Sequence, residues 1–250
     1  MTLSGSRTPQ RKVVLVTGSA TGIGRATALE FARDGWDVVC HYRASLDKAE
    51  SLAQSVRELG CKATLVQADL RNPDDIERLL GELDSLRPSS LVNNAGAYLH
   101  QLPFGQLTLK ELTATFTVNT FAPVLIAARC FEHMAADGGG RIVNVSSVAA
   151  KYGGSATSLD YGCAKRALEG VTLTLGREGA ARGVLVNTVR PGVIETDFLT
   201  GFSKDMTART RLIPMGRRGH PHEVAKAVHF LGSYENTYMT SQVFAVSGGE

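Results

Sequence analysis

Tyr161 and Lys165 stand four residues apart in a stretch of helical period, so their side chains share one helix face. A phenol beside an ammonium is a proton-transfer pair. Free tyrosine titrates at about 10, too high for ready exchange near neutrality, and a neighbouring positive charge is expected to favour the phenolate and lower that value. Tyr161 is thus a candidate general acid for reducing a carbonyl, or base for oxidising an alcohol. Such pairs also occur on ordinary exposed helices, so the meaning of this one rests on what the chain brings beside it.

A glycine-rich turn, Thr17-Gly18-Ser19-Ala20-Thr21-Gly22-Ile23-Gly24-Arg25, follows a β-branched run and opens an amphipathic stretch. Gly18 suits a tight exit from a strand, Gly22 lets backbone N–H groups approach a pyrophosphate, and Gly24 permits close packing of helix on sheet. The helix N-terminus adds a field that favours phosphates. A nucleoside-triphosphate loop would end in Gly-Lys-Ser/Thr, where Ile23-Gly24-Arg25 stands instead. Downstream, Asn93-Asn94-Ala95-Gly96 offers small residues at another strand end, where a ribose or adenine would pass. Asp69 follows a third strand and either accepts from an adenine amino group or caps a helix. The second strand ends His41-Tyr42-Arg43 without a carboxylate for a ribose 2′-hydroxyl, and Arg43 suits a 2′-phosphate. NADP(H) is therefore expected in preference to NAD(H).

The elements that must position these groups alternate. Lys12 to Thr17, Asp37 to Tyr42, Ala63 to Gln67, Leu91 to Asn93, Arg141 to Ser146, Leu185 to Val189 and Val243 to Val246 read as strands. Arg25 to Arg33, Leu46 to Leu59 and Asp74 to Leu86 have helical period. The order predicts an α/β fold, a doubly wound parallel sheet of about seven strands with helices on both faces. No linker divides the series. Residues 1–10 are expected to be a flexible tail and 11–250 one domain, in which the weakly patterned segment 194–215 serves as a substrate lid.

Composition narrows the function classes. A hydrophobic fraction of 43% with 20% charged residues is ordinary for a globular protein, which argues against disorder. The formal net charge is +3, and Arg209, Arg211, Arg217 and Arg218 make the densest basic patch. No basic and aromatic stripe continues it, so a nucleic-acid partner is not expected. Cys40, Cys61, Cys130 and Cys163 are widely separated and the six histidines lack ligand spacing, which predicts packing cysteines, no metal, and a cytoplasmic setting. No apolar run of membrane-spanning length is expected, nor a signal peptide.

Taken together, the glycine turn, Asn93-Asn94-Ala95-Gly96, Asn119, Ser146-Ser147, Tyr161-x-x-x-Lys165 and Pro191-Gly192 resemble the short-chain dehydrogenase/reductase family over nearly the whole chain. The resemblance implies a Rossmann-type domain, a homotetramer or homodimer, and hydride exchange between a nicotinamide and a carbonyl. It gives Lys165 the nicotinamide ribose, Asn119 a relay water, and Ser147 the substrate carbonyl. Counting back from Tyr161 lands instead on Val148, but Gly153-Gly154 mark a loop able to absorb one residue, which favours Ser147. The dinucleotide seat expected is Gly18, Thr21, Gly22, Ile23, Gly24, Tyr42, Arg43, Asp69, Leu70, Asn94, Ala95, Gly96, Tyr161, Lys165, Pro191, Gly192, Val193, Ile194 and Thr196, the last toward the carboxamide.

Within the family, His41-Tyr42-Arg43 and Ile213-Pro214-Met215-Gly216-Arg217 resemble 3-oxoacyl-[acyl-carrier-protein] reductases. Arg182 matches one carrier-docking position, whereas Ala136-Asp137-Gly138-Gly139 lacks the second cation. A free small ketone, sugar or quinone is the alternative to an acyl thioester. A non-catalytic dinucleotide sensor is the alternative of another class, against which the intact Tyr161 and Lys165 speak.

Overall fold

The apolar runs form seven strands: β1 (Val13–Val16), β2 (Asp37–Tyr42), β3 (Ala63–Gln67), β4 (Ser90–Asn93), β5 (Gly140–Val145), β6 (Val184–Pro191) and β7 (Gln242–Val246). All pair in parallel, in the order β3-β2-β1-β4-β5-β6-β7. The computed structural model describes residues 12–198 and 206–250. The expected tail lies outside the described residues, as does the middle of the expected lid.

Among the described residues the helices are α1 (Gly22–Arg33), α2 (Leu46–Glu58), α3 (Pro73–Leu86), α4 (Leu109–Phe116), α5 (Ala122–Ala136), α6 (Val148–Tyr152), α7 (Leu159–Ala180), α8 (Met206–Arg211) and α9 (Pro221–Gly232). Alternation along β1 splits the core in two. Val13 and Leu15 pack with Leu79 and Leu83 of α3 and Ile126 and Met134 of α5. Val14 and Val16 pack with Phe31 of α1 and Val224 and Val228 of α9. Burying each such side chain is worth roughly 1.5–3 kcal/mol, so both faces hold the sheet in place.

Boundaries differ from expectation where local chemistry intervenes. Helix α1 starts at Gly22 rather than Arg25, because Thr21 takes the extended N-cap conformation and its carbonyl accepts from Arg25 N at 3.1 Å. Helix α3 begins at Pro73, and its N-cap is Asn72, whose side chain accepts from Asp74 N; Asp69 does not cap it. Strand β6 runs on to Pro191, since the next ladder donor is Gly192 N, 3.0 Å from Val246 O.

One helix qualifies the expectation that no apolar run reaches membrane-spanning length. The helical stretch Leu109–Ala136 is long and apolar enough to cross a membrane by length and composition. Scattered Thr, Asn and Arg residues break an uninterrupted apolar count, yet the average over the stretch stays high. More than half of its most apolar window, 56%, is buried inside the protein, where Ile126, Phe131 and Met134 join the core. A cysteine also departs from its expected packing role: Cys40 and Cys130 are buried, but Cys163 is exposed.

Candidate active site

The strand order reverses between β1 and β4, which opens a crevice at the carboxyl edge of the sheet. A cavity of about 970 Å³ occupies it. Every residue expected in the dinucleotide seat except Gly24 lines this cavity, and so do Ser147, Tyr161 and Lys165.

Gly18 turns out of β1 with φ +63°, a conformation that penalises a side chain. A Cβ on Gly24 would lie 2.3 Å from Gly18 O, so the third glycine is where helix and strand touch. Thr17 and Asn94 then tie β1 to β4. Thr17 Oγ1 accepts from Asn94 N at 3.0 Å and Ala95 N at 2.9 Å, while Asn94 Nδ2 donates to Thr17 O at 2.8 Å.

His41 supplies a third tie that sequence reasoning missed. Its Nδ1 accepts from Gly18 N at 3.0 Å, which leaves Nε2 as the protonated nitrogen, 3.1 Å from Ala68 O. The neutral ring therefore joins the glycine turn to the end of β3. Burial pulls His41 down to about 4, so it stays neutral through the physiological range. A polar residue within an apolar strand was the available signal.

Beyond Tyr42, a second hollow of about 550 Å³ is lined by Arg43, Arg71 and Arg78 with Asp69 and Asp75. Asp69 accepts from Arg71 Nε at 2.8 Å, and that bond holds its carboxyl below the usual range. Arg78 is paired with Asp75 and Glu82. Arg43 is exposed and forms no ion pair among the described residues.

At the other end, β5 runs into Ser146-Ser147. Ser147 is the N-cap of α6, its Oγ accepts from Ala149 N at 3.1 Å, and it lines the same cavity as Tyr161, whose pKa it acts to lower. Val148 is a buried helical residue. Between α6 and α7, Gly153 and Gly154 both take positive φ.

Helix α7 presents Tyr161 and Lys165 on one face, with Lys165 Nζ 6.0 Å from the Tyr161 ring centre. Here the expected electrostatics are corrected. Burial pushes Tyr161 up to about 12, against a lowering contribution from Ser147, and pulls Lys165 down to about 8. Desolvation dominates both groups, and Lys165 Nζ donates to Val145 O at 3.0 Å.

Asn119 lies behind the cavity wall, on a π-helical turn (Thr117–Phe121) between α4 and α5. Its Nδ2 donates to Ala97 O at 2.8 Å and Thr115 O at 2.9 Å, and its Oδ1 accepts from Ala97 N at 3.1 Å. The amide thus clamps the loop after β4. A Cβ on Gly96 would lie 2.8 Å from Asn119 Oδ1 and 3.0 Å from Lys165 Nζ, so the glycine lets the three approach.

Two aromatic neighbours went unread in the sequence. Tyr98 stands edge-on to Tyr161 at 5.6 Å between ring centres, and Phe198 is 6.2 Å away. The expected lid supplies Ile194, which bridges to Gly219, and helix α8.

The glycine cradle leaves room where side chains would collide, and the donors around it fit an extended, phosphate-bearing dinucleotide. Comparisons with known proteins agree. The family described as Enoyl-(Acyl carrier protein) reductase matches residues 18–250. A 3-oxoacyl-[acyl-carrier-protein] reductase of Synechocystis is 36% identical over 241 residues, covering 95% of this chain and 96% of that protein. One from Aquifex aeolicus is 37% identical over 244 residues, covering 96% and 97%. Among solved structures, a blue fluorescent protein from a metagenomic library, in complex with NADPH, has a TM-score of 0.88 at 33% identity, covering 95% and 97%. Acetoin dehydrogenase from Enterobacter cloacae has 0.87 at 31% identity, covering 97% and 96%.

The fold and site therefore define a NAD(P)-dependent oxidoreductase. The chain belongs to the short-chain dehydrogenase/reductase family.

Proposed function

We propose that this enzyme uses NADP(H) to reduce a carbonyl to a secondary alcohol, with a 3-oxoacyl thioester as substrate class. The observation that carries the reading is that Ser147, Tyr161 and Lys165 line one cavity together with the glycine turn. Thr21, Gly22 and Ile23 would hold the pyrophosphate, Asp69 and Leu70 the adenine, and Pro191, Gly192, Val193, Ile194 and Thr196 the nicotinamide. Tyr42 and Arg43 would hold the 2′-phosphate, and the hollow beyond them with its three arginines supports that assignment. When bound, the dinucleotide supplies or accepts the hydride.

The chain's own groups do the rest. Ser147 Oγ holds the carbonyl oxygen, and Tyr161 Oη, kept protonated by burial, gives it a proton. Lys165, brought to about 8, holds ribose hydroxyls and exchanges a proton at Nζ near neutral pH. Asn119 keeps the loop after β4 closed over Lys165 and anchors the relay water. Exposed Phe121, Leu125 and Leu173 on the π turn, α5 and α7 support assembly with further copies as a homodimer or homotetramer.

One observation favours a free small ketone, sugar or quinone as a second reading. Arg182 is paired with Glu132 and Asp137 with Arg87, so the two positions considered for carrier docking are engaged within the chain. NADPH oxidation measured with 3-oxoacyl thioesters on carrier protein and on coenzyme A, beside free ketones, separates the two. Turnover is expected with NADPH above NADH, and Arg43→Asp should reverse that order. Tight dinucleotide binding with no turnover on any carbonyl would return the protein to the sensor reading.

A further inference from the structure

Glu169 is a carboxylate in an unusual place: one helical turn beyond Lys165, with its side chain only 3% exposed. Arg190 grips it with two hydrogen bonds, Nε to Oε1 at 2.8 Å and Nη2 to Oε2 at 2.7 Å. Ser146 Oγ donates to Oε1 at 2.8 Å, and Arg166 Nη1 reaches Oε2 at 3.0 Å from the surface. Two cations and a hydroxyl compensate the buried charge, which is the condition under which such a group is tolerated.

Each partner adjoins a segment that lines the reacting end of the cavity. Ser146 precedes Ser147 and also lies 3.4 Å from Lys165 O. Arg190 precedes Pro191-Gly192, where β6 ends. Glu169 itself stands on α7 with Tyr161 and Lys165. The ladder between β5 and β6 fixes strand register, with Ser146 N donating to Val189 O at 2.8 Å, but backbone pairing alone leaves the helix unregistered against the two strand ends. Thr172 ties the helix to Asn144 and Thr188 farther along the strands, and the carboxylate adds side-chain bonds of fixed length and direction at the strand ends themselves.

We infer that Glu169 is a positioning residue for the reaction: through Ser146 and Arg190 it sets α7 against the ends of β5 and β6, and so aligns Tyr161 and Lys165 with Ser147 and the Pro191-Gly192 turn. This rests on the roles proposed above. A misplacement of about 1 Å at a reacting group costs up to about a hundredfold in rate, so the alignment is worth holding by a charged hub.

Replacing the ion pair by apolar side chains separates positioning from stability, because such replacements are often neutral or stabilising. In Glu169→Leu/Arg190→Met the melting temperature is expected to stay within a few degrees of wild type. On a carbonyl that wild type turns over, kcat should fall at least about tenfold, with KM for NADPH within about threefold. The Tyr161 phenol, titrated by ultraviolet difference against Tyr161→Phe, should change its midpoint as its register with Ser147 changes. That titration needs no substrate, so it tests the hub even where the carbonyl-reductase reading fails. A double variant with wild-type kcat and an unchanged Tyr161 titration would overturn the proposal. Ser146→Ala, which removes one oxygen, keeps the proposal testable where the double variant does not fold. It should lower kcat about fivefold or more at unchanged KM for NADPH, and a wild-type kcat there would overturn the proposal equally.

Discussion

At the glycine-turn end of the cavity, His41, Thr17 and Asn94 spend their hydrogen bonds on backbone groups of neighbouring segments. These ties are neutral. At the other end, Lys165 is an ammonium buried to 2% exposure with one hydrogen bond, to Val145 O, and Tyr161 is a phenol pushed up to about 12 by the same burial. The first end gains rigidity from satisfied polar groups, the second holds groups whose charged forms the surroundings oppose. Binding needs a fixed surface, whereas proton transfer depends on titratable groups whose protonation the surroundings bias. The two ends therefore call for separable responses to mutation.

The sharpest separation is expected from Tyr161→Phe. Losing the proton donor should lower kcat by roughly a thousandfold, in the range of general acid catalysis. The dinucleotide dissociation constant, followed by fluorescence titration, should change less than about threefold, since the glycine-turn ties remain intact. If binding weakened as much as turnover, the two ends would be one unit and the comparison would break.

Lys165→Met should come next. Turnover is expected to fall on the order of a hundredfold, while the protein becomes more stable near neutral pH. Burial lowers the Lys165 value from 10.5 to about 8. Such a group contributes stability that is present above 10.5 and lost as pH falls through 8, a difference of up to about 3 kcal/mol. Urea unfolding at several pH values should show wild type gaining relative to the variant between pH 8 and 10.5. A flat difference over that window would mean that the ammonium is compensated and the end is not stressed.

How far the sequence showed these arrangements depended on whether the cause was local. β2 and β3 were legible to the residue because a run of β-branched side chains is its own signal. The glycine turn was legible because steric demand at Gly18 and Gly24 admits no substitute. Tyr161 and Lys165 could be paired from their spacing, but the direction of the Tyr161 shift could not, since burial is set by elements far away in sequence. His41 and Glu169 escaped for the same reason. Their partners, Ala68 across the sheet and Arg190 on another strand, are 27 and 21 positions distant. Asn119 was legible through the resemblance; the π-helical turn that lets its amide meet Ala97 was not.

The smallest effect probes the neutral end. His41→Leu removes both ring nitrogens, leaving Gly18 N and Ala68 O without their partner, at a cost of roughly 1–3 kcal/mol. With the turn loosened, KM for NADPH should rise about tenfold while kcat stays within about twofold, because the loss falls on binding shared by ground and transition states. Acid stability gives an independent check. His41 is lowered from 6.5 to about 4, so its contribution is full above pH 6.5 and vanishes as pH falls through 4. Wild type should therefore lose stability toward acid more steeply than the variant across that window. An unchanged KM together with a reduced kcat would reverse the roles assigned to the two ends, since the glycine turn would then serve the reacting groups rather than the dinucleotide.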